Sequence, residues 1–199
     1  MKVIGLTGGS GSGKSIVAAA LAEYGLKALD TDAVYHRLIE TETPCVTELV
    51  AEFGDAVRGE NGGIDRAALR NAVLGDDAAV SQKLSVLNHI THKYVLAECE
   101  AWLSKLEIEG AEYGVIDAPQ LYESGFDARC DAVIAVTAPI AIRAARIVSR
   151  DGLTQEEALQ RIRAQKDDAF FESHADFLIE NDADEIKVKK EIAQILKKL

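Results

Sequence analysis

Cysteine, proline, aromatic residues and positive charge are all scarce in this 199-residue sequence. The three cysteines, Cys45, Cys99 and Cys130, are odd in number and lack the spacing of metal ligands. They argue against a disulfide framework and fit a reducing compartment, in which we expect buried or incidental thiols. No apolar run is long enough to span a bilayer, so we expect no membrane partner.

Positive charge is outweighed: 22 Lys and Arg stand against 33 Asp and Glu, a formal net charge of −11. A nucleic-acid partner requires a basic surface, so this balance argues against one. An anionic substrate would need local clusters of Lys and Arg, which makes such clusters informative. The first apolar segment begins directly after the N-terminus and leaves no room for a secretory signal. We therefore predict a cytoplasmic protein.

A glycine-rich loop with the pattern G-x-x-x-x-G-K-S follows the first apolar segment. Its glycines let the backbone fold so that successive N–H groups point at phosphate oxygens. The lysine reaches the β- and γ-phosphates, and the hydroxyl after it is placed to ligate Mg²⁺. The helix that begins there adds its positive dipole end. The pattern predicts a nucleoside triphosphate site at Gly8, Gly9, Ser10, Gly11, Ser12, Gly13, Lys14 and Ser15.

The segments on either side of the loop favour this interpretation over a glycine turn that binds nothing. Residues 3–6 form a short strand candidate, and residues 15–24 form an alanine-rich helix candidate. That helix stops at Gly25, a residue suited to a helix C-terminus. Strand, loop and helix thus follow one another in the order that phosphate binding needs.

Short apolar runs that alternate with helical patterns predict an α/β fold with a parallel sheet covered on both faces. In such sheets ligands gather at the carboxyl ends of the strands, so the residues directly after each strand are the functional candidates. The five predicted strands are residues 3–6, 26–29, 113–116, 132–136 and 177–179.

Two helical segments interrupt this alternation. Residues 32–109 are broken by Pro44 and by the turn at 59–63, with a helix capped by Asp65 and two longer helices over about 78–106. We interpret this insertion as a substrate-recognition subdomain. Residues 139–166 predict a helical hairpin whose second helix opens with a capping box at Thr154, and we interpret it as a lid. Residues 1–31, 110–138 and 167–199 then form the core.

Carboxylates follow two of the predicted strands. Asp30 and Asp32 come after the second strand, where one can accept the proton of an attacking hydroxyl and the other can cap the next helix. We favour Asp32 as the base and Asp30 as the cap or as a partner of a Mg²⁺-bound water. Asp117 follows the third strand and fits a Mg²⁺ ligand. A helix cap is the alternative for Asp117, but the following Ala118-Pro119 does not open a helix at once.

The lid carries arginines that suit phosphate recognition, because the guanidinium fork matches phosphate oxygens. Arg143, Arg146 and Arg150 share one face of its first helix, and Arg161 and Arg163 lie on its second arm. A mobile hairpin can close these charges over a triphosphate and exclude water. A solvated charged face is the alternative, and we consider it weakest for Arg146.

His92 lies in the helical insertion, three residues after His89. Two histidines at this spacing make a weak metal pair, and a lone helical histidine is more often structural. We therefore predict no metal at these residues.

Taken together, these motifs resemble the dephospho-coenzyme A kinase family over essentially the whole chain. The D-x-D followed much later by D-x-P-x-L-[FY]-E makes the resemblance specific, because a P-loop alone occurs in many proteins. The matching segments are 4–15, 30–32, His92, 117–123, Arg146 with Arg150 and Asp151, Arg161 with Gln165, and 175–181.

The resemblance implies a P-loop kinase fold with a core, a helical CoA-binding subdomain and a lid. It implies transfer of the ATP γ-phosphoryl group to the ribose 3′-hydroxyl of dephospho-CoA, with Mg²⁺. The catalytic residues would be Asp32 as base, Lys14 and Arg146. ATP would contact residues Gly9 to Ser15 of the loop together with Ile16, Arg146 and Asn181, the last near adenine. Dephospho-CoA would contact Asp32, His92, Asp117 and Leu121, and Mg²⁺ would contact Ser15 and Asp117.

Four residues depart from the family pattern. Ile16 replaces a threonine, so one hydroxyl near the α-phosphate is missing and we expect weaker ATP binding. Lys93 replaces a proline after His92, which leaves the local helix entry and the role of His92 open. Gln120 replaces an apolar residue. Arg143 replaces a glutamine, and we expect it to add a phosphate contact.

Other functions stay open at this point. Another small-molecule P-loop kinase, of the nucleoside, shikimate or gluconate type, would share Lys14, the acidic pair and a lid. A GTPase switch would need an N-K-x-D signature, which the sequence lacks. An inactive nucleotide-binding relative would fit the loss of the hydroxyl at Ile16. We favour the kinase of dephospho-CoA, as a monomer or weak homo-oligomer.

Overall fold

A computed structural model describes residues 1–74, 79–182 and 184–199. It divides into two compact units, one of Met1–Leu29 with Leu106–Leu199 and the other of Asp30–Lys105. The strands are β1 Lys2–Thr7, β2 Lys27–Asp30, β3 Tyr113–Asp117, β4 Ala132–Thr137 and β5 Phe177–Glu180. The helices are α1 Lys14–Glu23, α2 Thr31–Glu40, α3 Pro44–Phe53, α4 Arg66–Val73, α5 Val80–Ile108, α6 Ile140–Asp151, α7 Gln155–Arg163, α8 Asp168–His174 and α9 Glu185–Leu196.

The five strands form one sheet in the order β2-β3-β1-β4-β5. β1 pairs in parallel with β3 and β4, and β4 pairs in parallel with β5. The predicted α/β fold is confirmed, and each predicted strand is present with ends that differ by at most one residue. Central strands read as continuous apolar runs because helices cover both of their faces.

The strand register brings the candidate phosphate-binding residues to one edge of the sheet. Leu6, which precedes the glycine-rich loop, lies opposite Asp117 on β3 and Ile134 on β4. At the far side Thr137 lies opposite Glu180, so β5 ends beside β4. Parallel strands thus place their carboxyl ends together, as the strand pattern predicts.

Two helices pack on the sheet through apolar stripes. α1 contributes Val17 and Leu21, and α9 contributes Val188 and Ile192, all fully buried. They pack in one cluster with strand residues such as Ile4. Burial of a side chain of this size stabilises the fold by about 1.5–3 kcal/mol relative to exposure. This packing fixes α1, and with it the residues that begin that helix at the glycine-rich loop.

The hairpin of α6 and α7 has a small core of its own. Ala144 and Ile147 of α6 pack against Ala158 and Ile162 of α7. Thr154 caps α7, and its capping box with Glu157 is formed in both directions, as predicted. The hairpin is therefore a locally stabilised element, and its role as a lid stays a prediction.

The second unit is helical and contains α2, α3, α4 and most of α5 around an apolar cluster that includes Leu49 and Leu69. The prediction of two longer helices over about 78–106 is wrong, because α5 is a single helix of 29 residues. The reason is that residues 80–108 contain neither proline nor glycine to break it. Position 78 itself lies outside the described residues.

None of the helices in the described ranges is both long and apolar enough to cross a membrane.

Candidate active site

The glycine-rich loop joins β1 to α1 and has a backbone that only glycine adopts readily. Gly11 and Gly13 have φ of +78° and +86°, in the left-handed region. A Cβ on Gly13 would lie 2.1 Å from the side-chain nitrogen of Asn181, and one on Gly11 would lie 2.5 Å from the carbonyl oxygen of Arg143. Both backbone conformation and space therefore require glycine at these two positions.

The carbonyl groups of the loop are held by side chains from distant elements. Arg146 of α6 donates from Nη1 to the carbonyl oxygens of Gly11 and Ser12, at 3.1 and 3.0 Å. Asn181, directly after β5, donates from Nδ2 to the carbonyl of Gly13 at 3.4 Å. Arg146 also donates to Oδ1 of Asn181 at 3.3 Å, so the two side chains brace each other.

The planarity of the peptide bond gives this bracing a chemical consequence. In a trans peptide the carbonyl of one residue and the N–H of the next point in opposite directions. Because the carbonyls of Ser12 and Gly13 face the bracing side chains, the N–H groups of Gly13 and Lys14 face the opposite side, whereas the N–H of Ser12 donates to the carbonyl of Gly9. Converging N–H groups at a helix N-terminus form an anion site.

A second pair of side chains holds the apex of the loop. Arg143 of α6 donates from Nε to the carbonyl of Ser10 at 3.0 Å, and the N–H of Ser10 donates to Oε1 of Gln165 at 2.8 Å. A Cβ on Gly9 would lie 2.2 Å from Nη2 of Arg143. The φ of Gly9 is outside the left-handed region, and a side chain at this position would have to displace the guanidinium of Arg143.

Lys14 and Asp117 form an ion pair where the loop meets the sheet. The pair is largely shielded, with 17% of the Lys14 side chain and 11% of the Asp117 side chain exposed. The N–H of Ala118 donates to the carbonyl of Leu6 at 2.9 Å, which fixes the end of β3 beside the start of the loop. No helix begins at Asp117, so its carboxylate serves the loop lysine and the cap alternative is wrong.

The oxygen donors at this edge fit Mg²⁺. Ser15 lies in the first turn of α1 with an exposed hydroxyl, and Asp117 supplies a carboxylate. Mg²⁺ is usually held by one or two carboxylates together with substrate phosphates and water. Within the described residues no three His, Cys, Asp or Glu side chains cluster as a self-sufficient metal site. A metal here would therefore depend on phosphate oxygens, as in other P-loop proteins.

Two buried hydroxyls at the loop have no hydrogen-bond partner among the described residues, those of Thr7 and Ser12. Buried polar groups are nearly always paired, so such atoms in a native fold call for an explanation. Both flank the concave turn of the loop, at its start and near its end. Their position is consistent with a polar ligand seated in the loop.

Ile16 lies in the first turn of α1 and is half-buried. It lines a cleft of about 240 Å³ together with Ala20, Val188 and Lys189. Its side chain places methyl groups where the family pattern has a hydroxyl. The expectation of weaker ATP binding stays a prediction.

Asp30 and Asp32 divide their roles at the start of α2. Asp30 is the N-cap, and its carboxylate accepts from the N–H groups of Asp32 and Ala33 at 2.9 and 3.3 Å. The capping role expected for Asp30 is therefore confirmed. Asp32 is exposed in the first helical turn.

His92 is half-buried in the middle of α5. Its neighbour Lys93 donates to Glu48 at 2.6 Å and lies over the ring of Tyr94, whose hydroxyl donates to the same carboxylate at 2.7 Å. The hydrogen bond from Lys93 lowers the pKa of Glu48, and the hydrogen bond to Glu48 raises the pKa of Tyr94. Lys93, in place of the family's proline, thus continues the helix and joins a surface network.

The segment after Asp117 packs inward. Leu121 is fully buried, and a Cβ on Gly5 would lie 2.6 Å from its side chain. The structure gives Leu121 a packing role, and its predicted contact with substrate stays a prediction. Tyr122 packs edge-on against Phe170 with ring centroids 5.1 Å apart, and burial raises its pKa to about 12.

The three arginines on α6 have different environments. Arg143 is 2% exposed, Arg146 is half-buried against the loop, and Arg150 is exposed. Arg150 and Arg161 both donate to Asp151, and the bond from Arg150 is the largest cause that lowers the pKa of Asp151 to about 2. Arg146 therefore contacts the carbonyls of the loop, which was not predicted. The expected contacts of Arg146 with ATP and of Arg143 with phosphate stay predictions.

Two residues of this site carried no functional assignment in the sequence. Gln165 belongs to the segment that resembles the family, but the resemblance gave it no role. Asp168 pairs with Arg143 at 3.3 Å between Nη1 and Oδ1. The only available signal for either was its position just after the arginine-rich hairpin.

Sequence comparison identifies the family. The model of the dephospho-CoA kinase family matches residues 2–187. The chain belongs to the dephospho-CoA kinase family. A dephospho-CoA kinase from Rhodopseudomonas palustris is 38% identical over 98% of this chain and 94% of its own length. One from Thermobifida fusca is 35% identical over 100% of this chain and 96% of its own length. Membership indicates an ATP-dependent kinase of coenzyme A synthesis.

Solved structures share the fold. A Thermus thermophilus protein has a TM-score of 0.81 at 33% identity, covering 100% of this chain and 97% of that one. A dephospho-CoA kinase from Campylobacter jejuni has a TM-score of 0.69 at 23% identity, with coverage of 100% and 97%. A shikimate kinase from Acinetobacter baumannii, at 18% identity and a TM-score of 0.58 with coverage of 100% and 94%, shares the fold.

Proposed function

We propose that this dephospho-CoA kinase transfers the γ-phosphoryl group of ATP to the ribose 3′-hydroxyl of dephospho-CoA through the residues described above. The observation that carries the proposal is the loop whose carbonyls are held by Arg146 and Asn181, beside the Lys14–Asp117 pair. Phosphoryl transfer needs positioning and charge stabilisation more than covalent chemistry. A rigid array of donors supplies both.

On the donor side, the backbone N–H groups of Gly13 and Lys14 bind phosphate oxygens. The Lys14 ammonium group, held near the loop by Asp117, is placed to reach the β- and γ-phosphates. Residues 9–16 line the triphosphate, and the Asn181 segment lies near adenine. Mg²⁺, held by Ser15 and Asp117, would neutralise charge between the β- and γ-phosphates.

Arg146 has two functions in this proposal. It holds the carbonyls of Gly11 and Ser12, and its guanidinium places a positive charge beside the loop. Charge that develops on the transferred phosphoryl group is stabilised most by donors that are already in position. We assign segment 139–166 as the lid that carries this arginine.

On the acceptor side, Asp32 accepts the proton of the 3′-hydroxyl. Asp30 is occupied as the N-cap of α2, which leaves Asp32 as the carboxylate of the D-x-D available for chemistry. We assign segment 32–109 to dephospho-CoA binding, with His92 as a contact, together with Asp117 and Leu121. Segments 1–31, 110–138 and 167–199 form the core.

The direct test is incubation of the purified protein with ATP, Mg²⁺ and dephospho-CoA, followed by mass spectrometry. We expect a product heavier by one phosphoryl group, with the mass of coenzyme A, and ADP in equal amount. A parallel panel with nucleosides, shikimate and gluconate tests the other acceptor alcohols. Product from one of these and none from dephospho-CoA would overturn the proposal.

We also propose that the protein acts in the cytoplasm as a monomer or weak homo-oligomer. The donor residues that brace the loop all come from one chain, so the phosphate site needs no second copy. Light scattering after size exclusion, at several protein concentrations, tests this assignment. A stable oligomer that persists at the lowest concentration would contradict it.

A further inference from the structure

Arg143 is a buried cation whose environment neutralises it only in part. The residue is 2% exposed, and Asp168, its ion-pair partner within the part of the chain that the structure describes, has a side chain that is 42% exposed. Nη2 is buried and has no acceptor among the described residues. Burial lowers the pKa of Arg143, and the charge of Asp168 opposes that shift. A buried charge without full pairing is costly, so its retention calls for a function.

The contacts of Arg143 place it behind the loop. Nε donates to the carbonyl of Ser10, so the N–H of Gly11 points to the opposite side of that peptide. The N–H of Gly11 thus points away from Arg143, as the N–H groups of Gly13 and Lys14 point away from Arg146 and Asn181. Arg143 therefore acts through the backbone of the loop, and its charge lies behind the donors that surround a phosphate.

We propose that Arg143 is a positioning residue of the glycine-rich loop, called the phosphate loop below. It fixes the Ser10–Gly11 peptide, and its partly neutralised positive charge lies behind that peptide and favours binding of the triphosphate. The inference rests on the proposed ATP-dependent function. An arriving anion compensates the guanidinium that Asp168 compensates only partly. The contact with Gly9 links this arginine to the loop a second time, because the guanidinium occupies the space of a side chain there.

The charge predicts opposite effects for two substitutions. Arg143→Gln removes the charge, and we expect ATP binding weaker by about 10- to 100-fold, as for the loss of a hydrogen bond to a charged group. Asp168→Asn keeps an acceptor oxygen and removes the opposing charge, so we expect ATP binding tighter by about two- to fivefold at low salt. Arg143→Lys keeps the charge and should restore part of the loss.

The experiment is titration calorimetry of the whole chain with ATP and with ADP, with Mg²⁺ and without dephospho-CoA, at low and high salt. Lys190→Gln, which removes one positive charge from an exposed position on α9, is the control and should leave both affinities unchanged. Thermal melting of each variant shows whether the fold is retained. If Arg143→Gln does not fold, the lysine and Asp168 variants carry the test.

Four results would overturn the inference. If the Arg143→Gln variant binds ATP as tightly as the native chain, Arg143 has no positioning role. If Asp168→Asn weakens ATP binding, the charge of Arg143 does not act as proposed. The same conclusion follows if Arg143→Lys binds ATP as weakly as Arg143→Gln. Failure of the native chain to bind ATP would overturn the proposed function and the inference with it, whereas equal binding by native and variant chains overturns the inference alone.

Discussion

The phosphate loop and the helical unit Asp30–Lys105 are built on different principles. In the loop, the backbone forms the binding surface and side chains from α6 and from the end of β5 hold it from behind. In the helical unit, the candidate residues present side chains: Asp32 is exposed and His92 is half-buried. The difference teaches that a short sequence motif identifies almost all the residues of a site formed by the backbone. The residues of a site formed by side chains are identified only when a bound ligand shows which of them make contact.

Replacing the proposed base, Asp32, should impair catalysis in the helical unit and leave ATP binding at the loop unchanged. We expect Asp32→Asn to lower kcat by about 10²- to 10⁴-fold, because one well-placed general base contributes that much. Calorimetry should find ATP binding unchanged. Asp30→Asn is the matched control, since asparagine caps a helix as well as aspartate does, and it should keep most of the activity. Near-normal turnover of the Asp32 variant would remove its assignment as base.

A methyl group inside the loop should break the backbone site. Gly13→Ala forces a left-handed φ of +86° on alanine and also places Cβ against Asn181. We expect ATP affinity to be lost by calorimetry, with a stability cost of at least about 1–2 kcal/mol from the backbone alone.

Gly25→Ala is the control for that experiment. Gly25 has a similar φ of +83°, but a Cβ there would meet no atom within 4 Å. Urea unfolding should therefore show the backbone cost of about 1–2 kcal/mol without any change in ATP affinity. Equal ATP binding by both alanine variants would contradict the view that crowding by Asn181 shapes the loop.

Restoring the hydroxyl that is missing at position 16 should strengthen ATP binding at the loop. We expect Ile16→Thr to tighten ATP binding by about two- to tenfold, the effect of one neutral hydrogen bond. Ile16→Val, which shortens the side chain without adding a hydroxyl, is the control. An equal gain in both variants would attribute the effect to the size of the side chain.

The smallest expected effect is a change in stability at low pH, at the hairpin of α6 and α7. The hydrogen bonds from Arg150 and Arg161 lower the pKa of Asp151 from 3.8 to about 2, so the folded state favours the charged carboxylate. The stability that Asp151 contributes is therefore full above pH 3.8 and is lost as the pH falls towards about 2. Urea unfolding of the native chain and of Asp151→Asn at several pH values should give curves that converge in acid. A gap that stays constant with pH would contradict this.

The sequence predicted the sheet and the loop well because both depend on local patterns. Buried parallel strands read as short apolar runs, and the strand–loop–helix order around Lys14 defines the loop. The helical insertion was predicted in outline, but its longest helix was taken for two, because helical periodicity alone does not locate a break. The base stays a prediction from the D-x-D.

The bracing of the loop was beyond a local pattern. Arg146 is 135 residues from Gly11, and Asn181 is 168 residues from Gly13. The contacts of Arg143 with Ser10 and Asp168 were not predicted, and its expected contact with phosphate stays a prediction. These residues come together only because the strands pair in a particular register. That register cannot be read from the spacing of residues in a single sequence.

The distance along the chain between the loop and its braces also has a consequence for biogenesis. A polypeptide emerging from the ribosome presents the loop first, yet the side chains that orient its carbonyls come from residues 143–181. Contacts of high sequence separation form late, because closing a long stretch of chain costs entropy. The nascent protein therefore has the glycine-rich motif early, and the braced loop only after residue 181 has been synthesised.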